Sequence, residues 1–436
     1  MKACDVLTNE HHHSVNNNIL YLNHWFTAES AQQAVAGLDA DRDLYNRLLG
    51  YPDLIINYTE FAKLGSINAV NDESLEVKFS AFCAYIDSVD YIVSKAQKIA
   101  IVLNAGAEGL PIEAVRLAGK IARHYSTCSV YYVSGASPVP ITFNYFNKWK
   151  GDTTNLKLIT QNTFEADKHY SSGYMDFKQH LSTDKQKKFH FFMGAPRMHR
   201  YMLLALLEER GVLDQGILSY GWWNGDSEVS HADVIRQLNM AVDDSYRDAF
   251  KDCIKVATKH LPNIPQRQNP YLGGWSNMEN PSRFARTMQY RDHEIYNSSW
   301  FHVTTETSNI TSTQLEKGGQ YPSNNPLFIT EKTYRPLVTG QVGITVGQQG
   351  ILTELTSLGY RPFNQCDRGN MTEDPADEIY DDQERLIAQA DSIARMCSWS
   401  DQQWRGKATE YQARDMMHNK NKQRYAPTTY LLHDTI

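Results

Sequence analysis

The sequence predicts an α/β protein built from two successive units of parallel strands and covering helices, followed by C-terminal helices. Three observations carry this. Short β-rich apolar runs recur, a glycine-containing turn follows several of them, and apolar positions at helical spacing come next. The 436-residue length suits about two to three domains. No run of about 18 apolar residues occurs, so no membrane span is expected.

Residues 98–136, KIAIVLNAGAEGLPIEAVRLAGKIARHYSTCSVYYVSGA, define the first unit. IAIVL reads as a strand, and Ile112, Val115, Leu117, Ala118 and Ile121 mark the buried face of a helix. SVYYV is the next strand, which completes a βαβ unit and implies a parallel sheet. LKLIT at 156–160 offers another strand, whereas residues 1–60 are mixed and begin with a polar His/Asn segment.

A charged link, STDKQKK at 182–188, interrupts the pattern. FHFFMGAPRMHRYMLLALLEERGVLDQGILSYGWW then reads strand, turn, long helix ending near Gly211, strand. Helical stretches are expected at about 228–260, then a loop rich in Pro, Gly and aromatics at 262–281. Loops of that length tend to be functional. SWFHVTTET at 299–307 is a strand, FITEKTYRPLVTGQVGITVGQQG at 328–350 gives helix, strand and turn, and ILTELTSLGYRPF a helix feeding a final strand. Two amphipathic helices close the chain. The divisions are 1–185, 186–385 and 386–436. Ligands in such folds sit at the carboxyl ends of the strands, in the cleft between facing domains.

Composition narrows the functions. A net charge of −7 argues against a general nucleic-acid-binding surface while leaving room for a local basic groove. Six scattered cysteines without a CxxC read as free thiols in a reducing compartment, and no apolar signal-peptide core precedes them; the cytoplasm is the expected location. Asp-x-Asp in LDADRD lies in a helical pattern, His11–His13 read as a flexible polar end, and GAEGLP lacks the GK[ST] of a phosphate-binding loop. No metal site is expected.

The stretch 328–350 carries the chemistry. Thr330 is a good N-cap, so Glu331 and Lys332 fall in the first helical turn, with Pro336 distorting the second and Gly340 ending the helix. A lysine there opposes the helix dipole, and a phosphate docked at the helix start reverses that sign. Glu331, an acceptor when ionised, suits a ribose or sugar diol.

FITEKTYRPLVTGQVGITVG resembles the donor-nucleotide motif of the alpha-1,3-fucosyltransferase family, and resembles more closely still the glycosyltransferases of large marine phages, with their Thr-Glu-Lys-Thr-aromatic-basic-Pro run. The likeness extends over about residues 189–425. It implies two facing Rossmann-like domains (the GT-B arrangement), no metal, and inversion at the anomeric carbon of a sugar transferred from a nucleotide-sugar. By this match Glu331 contacts ribose and Lys332 the phosphates. The family also places an arginine on the donor phosphates just after the strand equivalent to FHFFM; Arg200 fits best, with Arg197 and His199 as neighbours. Ser219 and Tyr220, ending the strand ILSY, are candidates for the nucleotide base, and Glu306 for reaching the donor. A host cytoplasm follows if the chain is viral.

Inverting transfer also requires a general base. Glu108, in the turn after IAIVL, is the candidate. The expected acceptor is a hydroxyl group of a glycan, a protein or a hydroxymethylated DNA base. The alternative is a non-catalytic nucleotide- or sugar-binding protein of the same fold.

Overall fold

Apolar runs bounded by turn residues become strands at the centre of two sheets. The computed structural model describes residues 6–8, 11–16, 19–23, 49, 52–58, 72–88, 93–94, 96–105, 110, 112–138, 140–161, 180–181, 184–193, 197–220, 235–236, 244–264, 297–306, 326–339, 341–363, 375–411, 418 and 430–433. The chain divides into two units, 1–163 with 428–436, and 164–427.

The first unit holds an eight-stranded sheet: β1 (Val6–Thr8), β2 (His11–Asn16), β3 (Ile19–Asn23), β4 (Leu54–Tyr58), β5 (Ile99–Ala105), β6 (Ser129–Ser134), β7 (Leu156–Gln161) and β12 (Tyr430–His433). β3 to β7 are parallel neighbours in chain order, while β1, β2 and β12 add antiparallel edges. Helices α1 (Asp72–Ser88), α2 (Ile112–His124) and α3 (Pro140–Trp149) connect the parallel strands and pack on one face through Phe82, Leu117, Ile121 and Phe146. Gly119 brings α2 against the end of α3; a Cβ there would lie 2.1 Å from the Lys150 carbonyl oxygen. Asn155 ties the end of α2 to the turn that follows it, donating to the carbonyls of Ala122 and Cys128 at 2.9 Å each.

The predicted β5–α2–β6 unit and β7 are present. His11–His13 are not a loose end: they lie in β2, with Asn16 opposite Ile19 across an antiparallel pair.

The second unit holds a four-stranded parallel sheet, β8 (Lys187–Met193), β9 (Gly216–Tyr220), β10 (Ser299–Thr305) and β11 (Val342–Val346), in the order β11-β10-β8-β9. Helix α4 (Met198–Glu209) follows β8 and is buried at every residue from His199 to Leu207, the mark of a helix inside a core. Gly211 ends it in the left-handed conformation (φ 67°), with Gly211 N–H on the Glu208 carbonyl and Val212 N–H on that of Leu207. Then come α5 (Asp244–Ala249), α6 (Lys251–His260), α7 (Glu331–Thr339), α8 (Ile351–Ser357), α9 (Asp382–Cys397) and α10 (Asp401–Tyr411).

α9 and α10 belong to this unit's core. Leu386, Ile393 and Met396 are fully buried with Trp404, which stacks on Trp300 and Phe301. The sequence divisions at 185/186 and 385/386 therefore fall at other points than the limits of the two units. The strand expected after α8 is absent among the described residues. Gly359 takes φ 88°, and Tyr360 and Phe363 are buried instead against Tyr334 and Trp404. Their apolarity serves ring packing, not a sheet.

No helix among the described residues is long and apolar enough to cross a membrane. The described cysteines, Cys83, Cys128, Cys253 and Cys397, are free thiols.

Candidate functional site

The strand order β11-β10-β8-β9 contains a reversal. From β8 the chain moves outward to β9; from β10 it moves outward the other way, to β11. The carboxyl ends of β8 and β10 therefore flank a topological switch point, where connections part and leave a crevice. The parallel strands of the first sheet run in chain order and have no such reversal.

Two helix starts meet at this point. Arg197, exposed, is the N-cap of α4, with φ −114° and ψ 137°. One turn in, His199 donates from Nε2 to the Glu306 carbonyl at 3.0 Å, and Arg200 donates from Nη2 to the carbonyls of Thr305 and Glu306 at 3.2 and 3.3 Å. Both side chains are buried. Burial, and then the Arg200 charge, hold the His199 imidazole well below its ordinary pKa. It is a neutral donor that joins α4 to the end of β10.

From the other side comes α7. The Thr330 carbonyl accepts from Thr333 N–H at 3.1 Å, so Thr330 caps the helix as expected. Glu306 is completely buried, and its carboxylate accepts from Thr330 N–H at 2.9 Å, Thr330 Oγ1 at 2.7 Å and the Thr333 hydroxyl. The helix start thus sits on a buried anion, which its dipole favours. Lys332 is half-buried and turns back on its own helix start, Nζ donating to Thr330 Oγ1 at 2.9 Å.

The expected distortion at Pro336 does not interrupt α7, which continues to Thr339. Proline has no N–H to give the Lys332 carbonyl one turn earlier. The Thr304 hydroxyl on β10 donates to that carbonyl instead, at 3.3 Å. Two glycines let the helix and Glu306 close on the sheet. A Cβ on Gly343 would stand 2.8 Å from Pro336 Cγ, and one on Gly347 would stand 3.2 Å from Glu306 Cβ.

The turn after β11 is anchored as well. Gln348 accepts from Phe328 N–H at 3.1 Å and donates to the Pro326 carbonyl at 3.2 Å. Arg385, buried on α9 and paired with Asp382, donates to the Gly347 carbonyl at 3.0 Å.

The second sheet thus gathers Arg197, Arg200, Glu306, Thr330 and Lys332 at one switch point, with Glu331 opening α7 there. Ser219 and Tyr220 end β9, one strand over, in register with Phe192 and Met193. Glu108 lies outside the described residues. Sequence reasoning missed Thr304, Thr333, Gln348 and Arg385. Of these Thr304, Thr333 and Gln348 left a trace, as polar side chains inside the two quoted motifs.

The fold and site define an α/β protein whose second sheet brings Arg197, Arg200, Glu306 and Lys332 to a topological switch point. A scan of protein-family models finds no match to this chain, and a search of curated proteins finds none either.

Proposed function

We propose that the chain is a glycosyltransferase, inverting and metal-independent, that moves a sugar from a nucleotide-sugar to a hydroxyl acceptor. The observation that carries this reading is the convergence of two helix starts, with Arg197 and Lys332, at the switch point of a parallel sheet. Such a place suits a diphosphate by its helix dipoles and its two cations. The Thr-Glu-Lys likeness supplies the donor class.

In this reading the donor diphosphate lies at the start of α7 beside the Lys332 ammonium, and Glu331 takes the ribose. Arg197 is the accessible arginine for the phosphates. Arg200, held on two carbonyls, shapes the site from beneath. Ser219 and Tyr220 border the base. The likeness implies a GT-B arrangement in which the first unit binds the acceptor and provides a general base, Glu108. The acceptor oxygen attacks the anomeric carbon as the base removes its proton, and the leaving diphosphate is neutralised where the cations already stand. The acceptor is a glycan, a protein or a hydroxymethylated DNA base.

A thermal-shift screen of UDP-, GDP- and dTDP-sugars tests the donor. A true ligand at about 100 times its Kd stabilises by roughly 2.7 kcal/mol. Lys332→Ala is expected to weaken binding about tenfold or more, the worth of one charge-assisted hydrogen bond; an unchanged shift rejects the site. Radiolabelled transfer to a glycan panel against duplex DNA, with and without hydroxymethylcytosine, separates the acceptors.

One observation favours the alternative, a non-catalytic nucleotide- or sugar-binding protein. The two most deeply buried charges of the site, Arg200 and Glu306, both serve the fold. Slow hydrolysis of the bound donor in the absence of acceptor would exclude it.

A further inference from the structure

A line of hydrogen bonds runs from the end of β10 to Lys332. Thr330 Oγ1 donates to Glu306 Oε2 at 2.7 Å, and the same oxygen accepts from Lys332 Nζ at 2.9 Å and from Lys332 N–H at 3.4 Å. A hydroxyl carries one proton and two lone pairs. The proton is committed to the carboxylate, so both lone pairs face Lys332. The carboxylate has no freedom to turn away, because Thr330 N–H and the Thr333 hydroxyl hold its other oxygen.

We propose that Glu306 is a positioning residue: acting through the Thr330 hydroxyl, it holds the Lys332 ammonium over the first turn of α7, so that the cation is in place before an anion arrives. The identity of that anion, the diphosphate of a nucleotide-sugar, rests on the function proposed above; the positioning does not.

The charge on Glu306 is what orients the relay. A glutamine in its place offers Thr330 Oγ1 an amide N–H, which turns the hydroxyl proton outward, donor against donor, onto the ammonium. The lysine then loses the Thr330 lone pairs at a helix start whose dipole opposes it, and its long stem swings toward water. Glu306 is therefore more than a cap, since a neutral acceptor would satisfy Thr330 N–H and the Thr333 hydroxyl equally well.

Trace acetylation of the folded protein with acetic anhydride, resolved lysine by lysine by mass spectrometry, tests this directly. Glu306→Gln and Thr330→Val are both expected to raise the acetylation rate of Lys332 about tenfold, the scale of one hydrogen bond to a charged group. Lys185, held on the carbonyls of His180 and Asn297, and Lys188, held on Asp401, keep their wild-type rates. Thr330→Val leaves the Thr330 N–H and Thr333 bonds to Glu306 intact, so it carries the test should Glu306→Gln not fold. An unchanged Lys332 rate overturns the proposal. A rise shared with Lys185 and Lys188 also overturns it, because that marks general loosening.

Calorimetric titration with GDP and UDP adds a second readout. Glu306→Gln is expected to weaken binding about tenfold, and to have no further effect in a Lys332→Met background. Tighter binding by Glu306→Gln would show that the carboxylate acts only as a repelling charge, which overturns the proposal. If the wild-type protein binds neither nucleotide, the nucleotide-sugar reading falls while the acetylation result still decides the positioning.

Discussion

At the end of β10 one carbonyl, that of Glu306, receives both an imidazole and a guanidinium. The consequence for His199 is a dependence on acidity. Above about pH 6.5 the ring is neutral in the folded and unfolded chain alike and contributes no slope. Below it the unfolded chain binds a proton that the folded protein refuses, so stability falls with pH, by up to about 1.4 kcal/mol per unit from this residue. His199→Gln keeps a donor for the carbonyl and removes the titration. Urea unfolding from pH 7.5 to 5 should therefore show a shallower loss in the variant than in the wild type; parallel curves would mean that His199 is charged in the folded state. The sequence marks GAPRMHR as a basic start to a helix. It gives no sign that Arg200 lies inward and Arg197 outward, because that follows from which side of α4 is covered by the core.

The α7 helix shows how an element is held by residues far from it. Pro336 leaves the Lys332 carbonyl without its helical donor, and Thr304, on another element, provides one. Thr304→Val is expected to cost about 1 kcal/mol or somewhat more, as for a buried carbonyl losing its partner. In a Pro336→Ala background a backbone N–H returns and the cost should shrink. A double-mutant cycle read by urea denaturation checks this, and strict additivity would remove the pairing. Most elements around the site were legible in the sequence: β8, α4, β9, β10 and β11 follow the apolar periods of FHFFM, YMLLALL, ILSY, SWFHVTT and VGITV, and α7 follows its Thr330 cap. The segment after α8 was not, because Tyr360 and Phe363 are apolar for the sake of Tyr334 and Trp404. A one-dimensional pattern does not separate that from a strand.

Across the whole molecule, each unit carries its own thiol reporter. Burial pushes the Cys253 and Cys397 thiols up to about 12, and both lie in the core of the second unit, whereas Cys128 lies in that of the first. The neutral thiol is a poor nucleophile. Pulsed N-ethylmaleimide labelling along a urea series, read peptide by peptide, should find Cys253 and Cys397 protected together and exposed at one midpoint. Labelling of Cys397 at lower urea would show α9 leaving first. The limits of the units were the least legible feature. STDKQKK looks like a linker by charge, yet Lys187 and Lys188 are in β8, and Lys185 stands over the Trp300 ring, 4.9 Å from its centroid. Nor does YLLH at 430–433 announce a strand, since what makes it one is β7. That last pairing has a consequence for biosynthesis. On the ribosome β7 emerges early but β12 only after the entire second unit, so the nascent first sheet must wait with an open, adhesive border. Chaperone dependence during translation, and clumping of chains cut before Tyr430, are the expected signs of that delay.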